Sequence, residues 1–178
     1  GAWDDHRVYA NSVLVIDSIF HMWYFGHTGQ NTSANYQIGH ATSPDGINWT
    51  KDPNNPVLTD GPSGSWDDIW IGSGDVVYTD GAFHIWYRGY GGTNLSVGHA
   101  TSPDGVNWIK DPQNPVLKAG SPGDWDYPSN LSGTVTFDGS TYHMWYEAGN
   151  ANNDKIGYAT SEDGSQWKKY GPPVLSHG

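Results

Sequence analysis

Apolar and polar residues alternate along this chain in short runs broken by Gly, Asp and Pro, the pattern of half-buried strands joined by tight turns. In the middle of the chain the alternation predicts one strand near Ser73 to Tyr78 and a second near Phe83 to Arg88. Asp80-Gly81 between them is a two-residue hairpin signal, because both residues tolerate the left-handed backbone such a turn needs. A third strand is expected near Ser96 to Ser102. Pro103-Asp104-Gly105 then turns the chain toward Trp108, and a fourth strand is expected near Pro115 to Leu117.

This unit occurs three times. Ile38-Gly-His-Ala-Thr-Ser-Pro-Asp-Gly-Ile-Asn-Trp49 returns as Val97 to Trp108 and, more loosely, as Ile156 to Trp167, 59 residues apart each time. Phe20-His-Met-Trp-Tyr24 returns as Phe83 to Tyr87 and Tyr142 to Tyr146. Trp3-Asp4, Trp66-Asp67 and Trp125-Asp126 open the copies, and Asn55-Pro-Val-Leu58, Asn114-Pro-Val-Leu117 and Pro172-Pro-Val-Leu175 close them. Four short antiparallel strands cannot bury both faces alone, but stacked radially each sheet covers the next. A β-sandwich does not call for a triplicated strand order. The fold expected is therefore all-β: a β-propeller with three four-stranded antiparallel blades per chain, at about 12–58, 73–117 and 132–175 of a single domain.

The repeat separates scaffold from exception. Nine of the ten Trp fall at three equivalent positions and read as blade packing: Trp3/Trp66/Trp125, Trp23/Trp86/Trp145 and Trp49/Trp108/Trp167. His21, His84 and His143 share a strand face with the Trp two residues on and read as hydrogen-bonded core residues. His40 and His99 give way to Tyr158 in the third copy, so no metal or cofactor is expected. The Ser-Pro-Asp-Gly-x-x-Trp element resembles the Asp box of sialidase-like propellers, with one residue fewer between Asp and Gly. Asp45, Asp104 and Asp163, triplicated at a turn, read as hairpin staples.

Composition narrows the function. The 178 residues carry a formal charge of −11 with only eight Lys plus Arg, which argues against a nucleic-acid partner. No apolar run is long enough to span a bilayer, so no membrane partner is expected, and no signal-peptide core is visible. The sequence opens on Gly, so any leader is expected to be removed already. Absence of Cys excludes a disulfide framework and leaves the compartment open.

Taken together, Trp-Asp, Asp-Gly-x-Phe-His-x-Trp-Tyr, Ile/Val-Gly-His-Ala-Thr-Ser-Pro-Asp-Gly-x-x-Trp and Asn-Pro-Val-Leu resemble blades of furanosidase-type propellers, glycoside hydrolase families 32, 43, 62, 68 and 130. The resemblance implies a five-bladed ring in those enzymes, a secreted or periplasmic setting, and three axial carboxylates on different blades. Paired carboxylates suit glycoside cleavage because one protonates the leaving oxygen while the other attacks or activates water. Here the axial positions read as Tyr9, Gly72 and Leu131, none acidic. Asp75, matched by Ser12 and Thr134, occupies the axis only if a bulge shifts the register. Glu147, where the other copies have Phe25 and Arg88, is the other weak catalytic candidate.

Residues that break the repeat gather on one rim. Trp70 is the unrepeated Trp, matched by Arg7 and Ser129. Arg88, Tyr90, Glu147, Asn150, Phe25 and His27 stand at the ends of second strands, with Asp67 and Asp68 nearby. An aromatic platform beside carboxylates and an Arg is the equipment of sugar recognition, so Trp70, Arg88, Tyr90, Glu147, Asp67 and Asp68 are the expected ligand residues. Three readings follow: a non-catalytic carbohydrate-recognising module; a furanosidase-type hydrolase or an excised part of one; and a purely structural scaffold. Three blades do not close a ring, and the ends of the sequence fall in a linker between blades. A homodimer closing a six-bladed ring is expected.

Overall fold

The computed structural model describes residues 2–29, 36–127, 132–149 and 154–176. Strands β1 (Arg7–Ile16), β2 (Ile19–His27), β3 (Gln37–Ser43) and β4 (Thr50–Lys51) form blade 1. Blade 2 is β5 (Trp70–Thr79), β6 (Ala82–Tyr90), β7 (Ser96–Ser102) and β8 (Ile109–Lys110). Blade 3 is β9 (Ser132–Phe137), β10 (Tyr142–Ala148), β11 (Lys155–Ser161) and β12 (Lys168–Lys169). Each blade is an antiparallel meander in chain order, and the first strands of successive blades lie against one another.

Between blades sit two apolar cores. Trp23, Ile38, Leu58, Ile71, Val76 and Ile85 fill the space between blades 1 and 2. Trp86, Val97, Leu117, Val135, Met144 and Tyr146 fill the next. The second-strand Trp of blades 1 and 2 also donates its indole N–H across the boundary, Trp23 to the Gly105 carbonyl at 2.8 Å and Trp86 to the Gly164 carbonyl at 2.7 Å. The hairpin at Asp80-Gly81 has the two positive φ angles expected of it, 53° and 77°.

The third-to-fourth strand turn is stapled identically in each copy. Asp45 Oδ1 accepts from the Ser43 hydroxyl and from the backbone N–H of Ile47 and Asn48 at 2.8–2.9 Å, and Asp104 and Asp163 do the same. Donation from Asn48, then Ile47 and Ser43, holds the Asp45 carboxyl well below the usual carboxylate range. These are the staples the triplication implies.

Two boundaries differ from the sequence reading. The fourth strand forms at Ile109–Lys110, directly after the turn, rather than at Pro115–Leu117. Asn114 explains the interruption: its side chain accepts from His99 N at 2.7 Å and donates to His99 O at 2.9 Å, doing the work of a strand partner where the next residue, Pro115, has no N–H. Val116 and Leu117 then rejoin the sheet through Val97. The first strand begins at Trp70, earlier than Ser73, and carries a bulge between Gly72 and Gly74.

Candidate functional site

The bulge decides where the first-strand side chains go. Ser73 is its extra residue, at φ +30°, and a matching irregularity lies between Ala10 and Ser12. Beyond it Asp75 lies level with Ser12 and Thr134 on the neighbouring first strands. Its Oδ1 accepts from the Ser12 hydroxyl and Val76 N, both at 3.0 Å. Its Oδ2 accepts from the Thr134 hydroxyl at 2.7 Å and Val135 N at 2.8 Å. Asp75 is thus on the innermost strand, as a bulged register requires, with both oxygens engaged in tying three blades together.

Around this staple lies a cavity of about 350 Å³ lined by Asn11, Ser73, Asp75, Ser132, Trp145 and Glu147, among others. The two weak catalytic candidates therefore face one space. The Asn11 amide donates nothing from its buried Nδ2, while its Oδ1 accepts from Gly74 N at 2.8 Å. Ser73 and Ser132 hydroxyls meet at 3.3 Å across the blade boundary.

Beside the cavity runs a row of rings. Tyr9 stacks on Phe25 with centroids 4.8 Å apart, and Tyr36 lies 5.9 Å from Phe25, 6.2 Å from Tyr9 and 6.2 Å from Trp70. Trp70 in turn lies 5.8 Å from Tyr90, its register partner at the open end of blade 2. The Arg88 guanidinium sits over Trp70 at 5.2 Å, and its buried Nε has no hydrogen-bond partner. Burial pulls the Arg88 pKa down while the charge of Glu147 on blade 3 supports it. Among the described residues no ion pair joins Arg88 to Glu147, which acts on it through its charge alone.

Trp70, Arg88 and Tyr90 are brought together as the sequence reading expects, and Glu147 stands across the blade boundary from them. Asp67 has a different place. It is buried, accepts from Lys110 Nζ at 2.6 Å and lies 3.3 Å from the Tyr87 hydroxyl, a clamp repeated by Asp4 with Lys51 and by Asp126 with Lys169. Asp68 accepts from Gly64 N at 2.6 Å and shapes its own turn. Ser129, Leu131 and Asn150 lie outside the described residues. Tyr36, Asn11, Ser73 and Ser132 were not singled out from the sequence. Tyr36 carried a usable signal, since it aligns with Leu95 and Asp154 and so breaks the repeat. The other three depend on the bulge.

The histidines of the repeated strands are engaged within their own blades. His21 Nδ1 lies 3.1 Å from His40 Nε2, His84 Nδ1 lies 3.1 Å from His99 Nε2, and His143 bonds the Tyr158 hydroxyl at 2.6 Å. Among the described residues no group of three or more His, Asp or Glu side chains is arranged to hold a metal, and no helix is long and apolar enough to cross a membrane.

Comparison with known proteins finds this arrangement of four-stranded blades in propeller glycoside hydrolases. Along 96% of its length the chain superposes on a family 117 glycoside hydrolase of the marine bacterium Zobellia galactanivorans, with a TM-score of 0.84, 15% identity and 58% of that chain covered. Fructan 1-exohydrolase IIa from Cichorium intybus in complex with 1-kestose matches over 94% of this chain and 32% of its own, with a TM-score of 0.77 and 19% identity. By sequence, fructan 6-exohydrolase of Beta vulgaris is 28% identical over 183 residues, 93% of this chain and 29% of that protein. Families 32, 117 and 130 are all represented among the matched propellers. No family model matches the chain. The chain thus shares the fold of these enzymes and spans about half or less of their length.

Proposed function

We propose that this chain is a carbohydrate-recognising propeller module, not itself a hydrolase, whose ligand lies along the axial rim of blades 1 and 2 and reaches Glu147 on blade 3. The observation that carries the reading is the stacked Arg88–Trp70 pair, with an unpaired guanidinium N–H, at the end of a row of rings. Sugar C–H faces stack on such rings, while one hydroxyl accepts from Arg88 and a neighbouring one donates to Glu147. Tyr36, Tyr9 and Phe25 extend the platform along the rim by roughly one ring width each, enough for a second sugar unit. Solved relatives that hold or act on fructans support this ligand class. We further propose an extracellular or periplasmic setting and a ring completed by a second copy of the chain.

Hydrolysis is a second reading, favoured by one observation: Asp75 and Glu147 line the same cavity. Against it stand the four hydrogen bonds that occupy the Asp75 carboxylate and tie it to the neighbouring first strands. Its oxygens are engaged by protein donors on three strands rather than aimed at a substrate.

The test is calorimetry with fructo-, arabino- and manno-oligosaccharides, together with a reducing-sugar assay. Binding that falls roughly tenfold or more in Trp70→Ala and Glu147→Gln, without turnover, supports the module. Binding indifferent to both substitutions moves the site elsewhere. Turnover abolished by Asp75→Asn establishes the hydrolase instead.

A further inference from the structure

We propose that the open face of blade 3 docks blade 1 of a second copy of this chain, and that the partner's Arg7 completes the axial rim beside Glu147 and Asp154. The inference deepens the reading of a ring completed by a second copy, and rests on it. It begins from a joint that the chain builds twice for itself. In both internal joints a Trp indole N–H meets the carbonyl of a turn Gly, Trp23 with Gly105 and Trp86 with Gly164. A Cβ at Gly105 or Gly164 would fall 2.8 or 2.9 Å from the Trp ring, so only Gly admits the plug.

The third copies of both halves are unused. Trp145 is 39% exposed where Trp23 and Trp86 are 0% and 2%, and its indole N–H meets no described residue. Gly46 has a similar positive φ, +73°, yet a Cβ there would meet nothing nearer than Phe20 of its own blade, at 3.6 Å. Blade 3 therefore presents a Trp without a Gly, and blade 1 a Gly without a Trp. The surrounding apolar residues follow suit. Leu175 is 65% exposed where Leu58 and Leu117 are 4% and 3%, and Val13 is exposed where Val76 and Val135 are buried. One backbone bond has the same open pair: Ile71 N donates to the Tyr36 carbonyl at 3.1 Å across the first joint. Its repeat equivalents are Val8 N–H, on exposed Val8, and the Asp154 carbonyl.

Charge selects a second copy over any other apolar partner. At the first joint Tyr36 faces Trp70 and Phe25 packs at Gly72, an aromatic contact. The equivalents at the open joint are Asp154 facing Arg7, and Glu147 at Tyr9. Two carboxylates on blade 3 thus oppose a guanidinium on blade 1, and among the described residues the Arg7 guanidinium donates to the Tyr9 hydroxyl at 3.4 Å and to no carboxylate. The contact is heterologous, head to tail, and two copies meeting at both ends close it by rotation. In the closed assembly Arg7 and Tyr9 arrive in trans beside Glu147, so the rim of blade 3 is incomplete in a single copy.

Sedimentation velocity over a concentration series tests the joint. The unaltered chain is expected to dimerise, and Gly46→Ala, which clashes with nothing in its own blade but carries the local strain of its φ of +73°, is expected to weaken the dimer roughly tenfold or more by colliding with the partner's Trp145, an effect read against the monomer's unfolding midpoint to separate the two. Arg7→Asp alone and Asp154→Arg alone each place like charges at the joint and are expected to shift toward monomer. A one-to-one mixture of these two variants restores opposite charges at both joints and is expected to recover the dimer. An unaltered chain that stays monomeric at micromolar concentration overturns the ring reading itself and points to other blades as the occupant. A dimer indifferent to Gly46→Ala, with no preference for the mixed pair, overturns this joint while leaving a second copy in place by another surface.

Discussion

Thr134 on blade 3 donates its hydroxyl to the Asp75 carboxylate on blade 2 over 2.7 Å, and Ser12 on blade 1 does so from the other side at 3.0 Å. One carboxylate therefore joins three inner strands. Asp75→Ala leaves the Ser12 and Thr134 hydroxyls and Val135 N without this acceptor, while Val76 N keeps Ser12 Oγ at 3.2 Å, and is expected to lower stability by about 2–3 kcal/mol. Thermal or urea unfolding measures it, and Asp75→Asn should recover part of the loss, since its carbonyl still accepts. A loss under about 0.5 kcal/mol would show that water replaces the staple without penalty.

Arg88 combines a mostly buried charge with an unpaired N–H, a combination that favours binding at the expense of stability. Arg88→Met keeps the apolar stem over Trp70 and removes the desolvated charge. We expect a gain of about 1 kcal/mol in unfolding free energy together with loss of sugar binding. A variant that loses both stability and binding would make Arg88 a structural residue.

The hairpin of blade 1 has Asp17 and Ser18 at φ +49° and +65°, where blade 2 has Asp80-Gly81. A Cβ in the left-handed region costs roughly 1–2 kcal/mol. Ser18→Gly is expected to recover about 0.5–1 kcal/mol of that, the remainder being offset by the freer unfolded chain. A raised unfolding midpoint with unchanged dimerisation is the expected result, and a lowered midpoint counts against it.

The paired histidines set an acid limit. Burial, with the neighbouring His99 charge, pushes His84 down to about 4, and burial likewise lowers His21, His40 and His99, with Asp111 working the other way at His99. Folded values below the unfolded value of about 6.5 mean the native state favours neutral rings. Their contribution is complete above about pH 6.5 and is lost as pH falls through that value toward 4. Unfolding free energy measured at intervals across this window should decline, and His84→Gln should flatten part of the decline. Constant stability from pH 7 to 4.5 would count against the buried neutral pairs.

The repeat made most of the fold legible. Triplicated Trp, Asp-Gly and Ser-Pro-Asp-Gly positions determined the blades, the hairpins and the stapled turns, because each of those features depends on local backbone geometry that a few residues dictate. Departures from the repeat likewise picked out Trp70, Arg88 and Tyr90, which share one end of a single hairpin. The bulge at Ser73 was a different matter: one extra residue in a first strand changes which side chains reach the axis, and alternation read along one strand does not reveal it. The grouping of Asp67 with the rim failed for a related reason, since a Trp-Asp pair that opens each copy is occupied by a Lys some 43 residues later. Trp145, equivalent by sequence to two buried Trp, stands exposed because burial belongs to the neighbouring blade and not to the residue. Sequence alone determined what each blade is, while tertiary structure decided which faces meet, since a sheet is covered by a partner about 60 residues away and not by its own strands.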